Sequence, residues 1–392
     1  MKVLLIGKFS FDPSIYTYPS SFISAFEANG AEVITFNTVN GTRIGSILTH
    51  FNASKILSRL LPSCIKHWLL NKQLLQSVKQ IKPDLIFIIK GNQILPSTLQ
   101  IIKQKYPTIK ILHFYADNPF CFWNGNANSH VLNGLPYIDQ FLIWSKELIP
   151  IIQSAGCKKV SYFPFAFDDR IYHPNTTLDF FQNSEELMDP GSKSGMTGGK
   201  YRQSLSSQPP SWDPVLYFTS DVVFVGTWDT EREAFLLQLV QALPTLNLAI
   251  WGNRWNEFLP SNSPLKKYLR GKAIYKESLL KAFAGSKIVL NFIRPQNLQA
   301  HNMRTFEALA TGSFLLTQKT VEQSQDPFIE DFNIACFNDA EDLIKKIAFY
   351  VNHDSLRKEI AKKGLMLAQE FTLHKQIQSL LATLEAKSSN DG

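Results

Sequence analysis

A chain of 392 residues with 44% hydrophobic and 19% charged residues is too long for one ordinary core, and two domains of roughly 150–200 residues are expected. The aromatic content of 12%, with Phe at 29, excludes a wholly disordered chain, and Gly 19 with Pro 20 excludes a fibrous or low-complexity one. The formal charge is +7, and no apolar run approaches the ~18–20 residues that span a bilayer, so an integral membrane protein is not expected.

In chain order, Val3–Ile6 reads as a buried first strand rather than a signal peptide, because the apolar run is short and no small-residue cleavage site follows. Tyr18–Asn29 has helical spacing with Phe22, Ala25 and Phe26 on one face, Gly30 ends it, and Glu32–Phe36 is the next strand. Residues 52–80 are helical in pattern, interrupted at Pro62, which lacks the N–H that a helix interior needs. Asp84–Ile89, Ile109–Phe114 and Gln140–Trp144 are short apolar strands with helical segments between them, the pattern of a parallel sheet covered on both faces. Residues 175–214 then break the composition with Ser, Gly, Pro, Asn and Gln, and read as a flexible linker or loop.

The alternation restarts after it. Asp221–Val225, Leu246–Trp251, Lys287–Phe292 and Ser313–Thr317 are expected strands. Thr230–Ala242, Lys276–Ala284, Met303–Ala310 and Ala340–Asn352 are expected helices, and His353–Leu384 is mostly helical. The chain therefore divides into residues 1–174, the linker 175–214, a second α/β domain 215–370, and a terminal helix and disordered tail 371–392. Two Rossmann-like parallel-sheet domains facing a cleft are expected, with ligands beyond the carboxyl ends of the strands.

Charge is uneven along this plan. Up to Pro174 there are 17 Lys/Arg against 9 Asp/Glu, and beyond it 23 against 24. Between Glu32 and Asp84 no acidic residue occurs, while Arg43, Lys55, Arg59, Lys66, Lys72, Lys79 and Lys82 all fall there. Residues 43–82 thus point to peripheral contact with an anionic membrane or an acidic acceptor, with a solvated basic face as the plain alternative. Little aromatic interleaving beyond Phe51 and Trp68 argues against nucleic acid. Cys64, Cys121, Cys157 and Cys336 form no CxxC pair, so neither a zinc ribbon nor a disulfide framework is indicated and a reducing cytoplasm fits.

No GxGxxG follows the first strand, and GxxxxGK[ST], GxSxG, HExxH and Asp-x-Asp are all lacking, which removes the fingerprints of several enzyme classes and leaves no metal or cofactor expected. The chemistry-bearing segments are turns in the second half. Gly226 and Thr227 end a strand and lead to Arg232, where glycine admits a close ligand and the helix N-terminus offers free N–H groups; a plain tight turn is the alternative. Trp251, Gly252 and Arg254 end another strand, with an aromatic for a base and a cation for a phosphate, unless Trp251 is core. In the segment from Asn291 to Thr317, Arg304 opens a helix and Glu307 sits one turn on. A carboxylate there accepts from ribose hydroxyls while the helix N-terminus meets a diphosphate, the alternative being an amphipathic helix with a capping pair.

The run from Asn302 through Arg304, Phe306, Glu307 and Gly312 to Leu316, after a strand ending at Leu290-Asn291, resembles the C-terminal domain of the CgeB-like, spore-maturation-type glycosyltransferases of the GT-B fold, with a glycosyltransferase group 1-like C-terminal domain. Phe163–Asp168 with His173-Pro174, Asp221–Arg232 and the ending Asp339–Leu381 resemble that family too. The resemblance implies a nucleotide-diphosphate sugar as substrate, a metal-independent hexosyltransferase-like activity, and a glycan, lipid or protein acceptor. It implies donor contacts at Gly226, Thr227, Arg232, Trp251, Gly252, Arg254, Asn291, Asn302, Arg304 and Thr305. Glu307 matches the second Glu of the Glu-x7-Glu pair of many retaining members, while Gln299 stands at the first. His301 in the same loop and Asp117, after a buried strand of the first domain, are the other catalytic candidates. Apart from the resemblance, the cysteine usage points to the cytoplasm, and the basic residues 43–82 leave open a peripheral place at the inner membrane face beside the plain solvated alternative. A non-catalytic nucleotide-sugar or glycan-binding protein on the same scaffold is the alternative.

Overall fold

The computed structural model describes residues 1–9, 18–38, 41–42, 62–121, 128–174, 217–297 and 299–388. The Ser/Gly/Pro-rich stretch expected as a linker, and the basic residues Arg43, Lys55 and Arg59, lie outside the described residues. The chain forms two compact units: residues 1–168, 294–302 and 371–392 make the first, and residues 169–293 and 303–370 the second.

The first unit is built on β1 (Lys2–Gly7), α1 (Tyr18–Ala28), β2 (Glu32–Asn37), β3 (Gly41–Thr42), α2 (Ser63–Ile81), β4 (Leu85–Ile89), α3 (Pro96–Lys105), β5 (Lys110–Tyr115), α4 (Ser129–Gly134), β6 (Gln140–Ile143), α5 (Leu148–Ser154) and β7 (Val160–Tyr162). The strand order is β3-β2-β1-β4-β5-β6-β7, parallel throughout except for the antiparallel β2–β3 pair. Every residue of β4 is buried, as an apolar run covered on both faces requires. Helix α1 buries Phe22, Ala25 and Phe26, and Phe22 packs on Phe87 and Phe114 with centroids 5.5 and 5.7 Å apart. Helix α2 begins immediately after Pro62, where proline's missing N–H costs nothing.

The second unit runs β8 (Ser220–Val225), α6 (Thr230–Ala242), β9 (Leu248–Trp251), α7 (Trp255–Phe258), β10 (Leu269–Gly271), α8 (Lys276–Ala284), β11 (Ser286–Asn291), α9 (Met303–Ala310), β12 (Leu315–Gln318), β13 (Ala335–Phe337), α10 (Ala340–Val351) and α11 (Asp354–Ala368). Its sheet is wholly parallel in the order β10-β9-β8-β11-β12-β13. One core of Val222, Phe224, Leu236, Ile250, Leu290, Phe292 and Phe337 joins the sheet to its helices. Both sheets reverse strand order beside their first strand, between β1 and β4 and between β8 and β11. Such switch points open a crevice at the carboxyl ends of the strands.

The expected strands and helices are present among the described residues; of the helical pattern expected over residues 52–80, the part before Pro62 lies outside them. Four further strands, β3, β7, β10 and β13, span only two or three residues each, too short for a period to show in sequence. The helix expected over His353–Leu384 is divided: α11 ends at Ala368, and α12 (Leu373–Ser388) follows a 3-10 turn. Helix α12 belongs to the first unit, where it packs on α1: Asn29 Nδ2 donates to His374 O at 3.2 Å, and Leu373, Ile377, Leu380 and Leu381 are buried.

Candidate active site

The carboxyl ends of β8 and β9 hold two turns pressed together. The Gly226 N–H donates to Trp251 O at 2.8 Å, the Trp228 N–H to Asn253 O at 3.0 Å, and Trp255 Nε1 to Gly226 O at 2.8 Å. Asp229 caps α6 by accepting from the Arg232 N–H at 3.0 Å. The Arg232 guanidinium is turned inward. Nη1 donates to Thr227 O at 2.7 Å, Nε lies 3.3 Å from Asp229 Oδ2, and its carbon stands 5.4 Å from the Phe224 ring centroid. Arg232 therefore fixes the turn that carries Gly226 and Thr227. Trp251 is core: the residue is 3% exposed, and its ring packs against Tyr217 and Phe218 with centroids 4.9 and 5.6 Å away.

Arg254 differs. It has a left-handed backbone, with φ 72°, and its side chain is 49% exposed. The guanidinium carbon lies 4.4 Å from the Phe258 centroid, and Phe258 stacks on Trp228 at 4.3 Å with an interplanar angle of 10°. Trp228 Nε1 donates to Glu233 Oε2 at 2.7 Å. Arg254, Phe258 and Trp228 form a cation-capped aromatic stack that the sequence reading had not singled out. Its signal was the pairing of Trp228 and Phe258 with a strand-end Arg.

At the neighbouring strand end, Asn291 Nδ2 donates to Thr317 Oγ1 at 3.0 Å and to Thr305 Oγ1 at 3.4 Å, and Gln323 Nε2 reaches the same Thr317 oxygen at 3.3 Å. All four residues are buried. Asn291 and Thr305 thus lock β11, α9 and β12 together. One turn further, Arg304 Nη1 is 2.6 Å from Glu307 Oε2, with the side chains 20% and 5% exposed. Burial pushes the Glu307 carboxyl upward, and Arg304 with the Tyr172 hydroxyl pulls it back. His301 and Asn302 fall in the 294–302 segment, which belongs to the first unit; His301 is buried and its carbonyl accepts from Asn297 Nδ2 at 3.3 Å.

In the first unit, Asp117 stands beyond the end of β5 and pairs with Lys90, which follows β4, at 2.5 Å. Around them burial lifts the Tyr115 hydroxyl to about 12 and lowers His113 to about 4, and His113 Nε2 donates to Lys90 O at 3.0 Å. His113 carries a pH prediction. Its native pKa lies below the usual imidazole value, so the unfolded chain takes up the proton first and stability falls as pH drops through about 6.5. Between pH 7.5 and 5 this residue should remove about 2 kcal/mol of stability. Urea unfolding at the two pH values checks it, and His113→Gln should flatten the difference by about that amount.

Residues 232–382 match the family model described as glycosyl transferase-like, which covers less than half of the chain. The chain carries a glycosyltransferase-type segment on a GT-B fold. Among solved structures, Alr3699/HepE of Anabaena in complex with UDP-glucose aligns over 98% of this chain and 100% of that one, at 14% identity and a TM-score of 0.60. The N-terminal domain of Candida albicans trehalose-6-phosphate phosphatase aligns over 98% and 96%, at 12% identity and a TM-score of 0.62. The DNA-modifying enzyme β-glucosyltransferase aligns over 98% and 99%, at 16% identity and a TM-score of 0.55. At these identities the likeness shows the fold. No curated protein matches the sequence. The glycosyltransferase-type segment contains Arg232, Trp251, Gly252, Arg254, Asn291, Arg304, Thr305 and Glu307, so the second unit's switch-point residues sit within it or, like Gly226 and Thr227, just ahead of it. Among the described residues, no helix is long and apolar enough to cross a membrane.

Proposed function

We propose that the chain is a metal-independent glycosyltransferase of the CgeB-like type, moving a sugar from a nucleotide-diphosphate sugar to a hydroxyl of a glycan, lipid or protein acceptor in the cytoplasm. The observation that carries this reading is the switch point between β8 and β11 inside and beside the glycosyltransferase-type segment. There Gly226 and Gly252 leave the strand ends bare of side chains, Arg254 is exposed, and α9 carries Arg304 in its first turn. Two cations and helix N-termini would stabilise the leaving diphosphate, where charge develops as the glycosidic C–O bond breaks.

The acceptor oxygen would form the new bond to the anomeric carbon and release its proton to the Asp117 carboxylate, which Lys90 holds by its ion pair. Burial of Glu307 favours a role in holding Arg304 over direct contact with a ribose. His301 remains a proposed catalytic residue and Asn302 a proposed donor contact. Asn291, Thr305, Thr227, Arg232 and Trp251 would act by shaping the strand ends rather than by touching the donor.

A thermal-shift screen against UDP-, GDP-, ADP-, CMP- and dTDP-sugars, with and without EDTA, tests the reading. One nucleotide class should raise stability by about 2.7 kcal/mol at a hundredfold excess over Kd, unaffected by EDTA. Arg254→Ala should weaken that binding at least about tenfold, as loss of a charge-assisted contact does. No shift with any donor would sink the proposal. A shift without transfer or donor hydrolysis would identify a non-catalytic binding protein.

A further inference from the structure

Helix α2 buries Leu70, Leu74, Val78 and Ile81 on its inner side. Its outer side is unusual for a folded surface. Ile65, Trp68 and Leu69 are 41%, 55% and 40% exposed, and their i, i+3, i+4 spacing places them together. Lys72, Gln76 and Lys79 continue the same exposed face, with Lys66 beside it. The Lys72 ammonium lies 5.3 Å from the Trp68 ring centroid. Trp68 is the one exposed tryptophan among the described residues. No acidic residue occurs between Glu32 and Asp84, so nothing within the helix offsets its lysines.

The same end of α2 is tied to the carboxyl end of the first sheet. Asn71 Nδ2 donates to Gln93 O at 2.8 Å, and Asn71 Oδ1 accepts from the Leu95 N–H at 2.9 Å. The His67 ring lies 5.7 Å from that of His130, whose Nδ1 is 3.1 Å from Asn92 O. The stretch held this way begins at Lys90, the partner of Asp117.

We propose that the outer face of α2, from Ile65 to Lys79, is a docking surface for an anionic lipid bilayer. Ile65, Trp68 and Leu69 enter the acyl boundary, and Lys66, Lys72 and Lys79 lie against the headgroups. Tryptophan and lysine side by side suit the interface, where the indole sits at headgroup depth and the ammonium stays wet. The charge decides between occupants. A second copy of this face brings the same cations, and a nucleic acid offers no apolar phase to Ile65 and Leu69. One consequence rests on the transferase reading: an acceptor hydroxyl near Asp117 would then be borne by a lipid or a lipid-linked glycan at that surface.

The test is co-sedimentation of the full chain with vesicles of phosphatidylcholine alone or mixed with phosphatidylglycerol. The protein should pellet with the anionic vesicles and remain in the supernatant with neutral ones. The pairs Trp68→Ser with Leu69→Ser, and Lys66→Glu with Lys72→Glu, should each reduce partitioning at least about tenfold while leaving the melting temperature near that of the unaltered chain. The proposal is overturned if the unaltered chain ignores anionic vesicles or if either double variant pellets like it. It is also overturned if the chain sediments as a dimer that the Trp68/Leu69 variant dissolves, or if duplex DNA at the same salt outcompetes the vesicles. Vesicle binding needs no sugar nucleotide, so a failed donor screen leaves this result standing, and the reverse holds too.

Discussion

Replacing Arg304 by alanine is expected to lower the unfolding free energy by about 3–5 kcal/mol at neutral pH, because the change strands a buried carboxylate. The Glu307 side chain is 5% exposed, and its Oε2 sits 2.6 Å from Arg304 Nη1. Without the guanidinium, the Tyr172 hydroxyl is left as the group that steadies the carboxylate. The pH dependence follows with a definite sign. Burial raises the native pKa of Glu307, so the native state holds the proton more readily than the unfolded chain does, and stability is lost as pH rises through the native pKa. Removing Arg304 lifts that pKa further. The deficit of Arg304→Ala should therefore be smallest in mild acid and largest near neutrality. Urea unfolding at pH 5 and 7.5 measures this. The double variant Arg304→Met, Glu307→Gln should recover most of the loss, since an uncharged pair carries no desolvated ion. A loss below about 1 kcal/mol, the scale of an exposed pair, or an equal loss at both pH values, would mean that Glu307 is not a buried charge held by Arg304.

That pair shows where sequence reading reached and where it stopped. Arg304 and Glu307 are three residues apart on one helix, so their contact follows from helical geometry, and the apolar run of β4 announces a strand buried on both faces. The face of α1 was equally legible, since Phe22, Ala25 and Phe26 repeat at helical spacing. Other assignments needed contacts that no local pattern encodes. Asn291 meets Thr305 and Thr317, 14 and 26 residues away, and becomes a brace across two strands and a helix. Lys90 reaches Asp117 because two strand ends lie side by side in the sheet. The return of α12 to the first unit depends on Leu373 and Ile377 finding a surface some 350 residues earlier in the chain, beside Asn29, whose own bond to His374 spans 345 positions. Arg232 was the nearest to legible. Asp229 three residues before it is an N-cap signature, and a guanidinium beside a cap is readily drawn inward.

The placements also divide the second unit's polar residues by what they are free to do. Arg232, Asn291, Thr305 and Glu307 are buried and engaged with their neighbours, whereas Arg254 is half exposed on an aromatic stack. Substituting the buried group should therefore change stability first. Substituting Arg254 should change ligand affinity with little effect on folding.

Gly252→Ala is expected to cost about 3 kcal/mol, the upper part of what an overpacked site shows, because the added methyl meets backbone that cannot move away. A Cβ at 252 would lie 1.9 Å from the Gly226 carbonyl oxygen and 2.7 Å from its carbon. Gly226 is held from both sides. Its N–H donates to Trp251 O at 2.8 Å, and its oxygen accepts from Trp255 Nε1 at 2.8 Å. Relieving the clash would break one of these bonds and separate the β8 and β9 turns. Gly312→Ala in the same unit is the control. Its φ of +72° makes alanine unfavourable by roughly 1–2 kcal/mol, yet the nearest atom to a Cβ there is Leu365 Cδ2 at 3.6 Å, an ordinary contact. Guanidinium unfolding of both variants separates steric exclusion from backbone strain: Gly252→Ala should be the less stable, and equal stability would mean that the two turns can part without cost. The comparison extends to function. If donor binds at these strand ends, Gly252→Ala should weaken it even under conditions where the variant is fully folded, while Gly312→Ala should bind donor as the unaltered chain does.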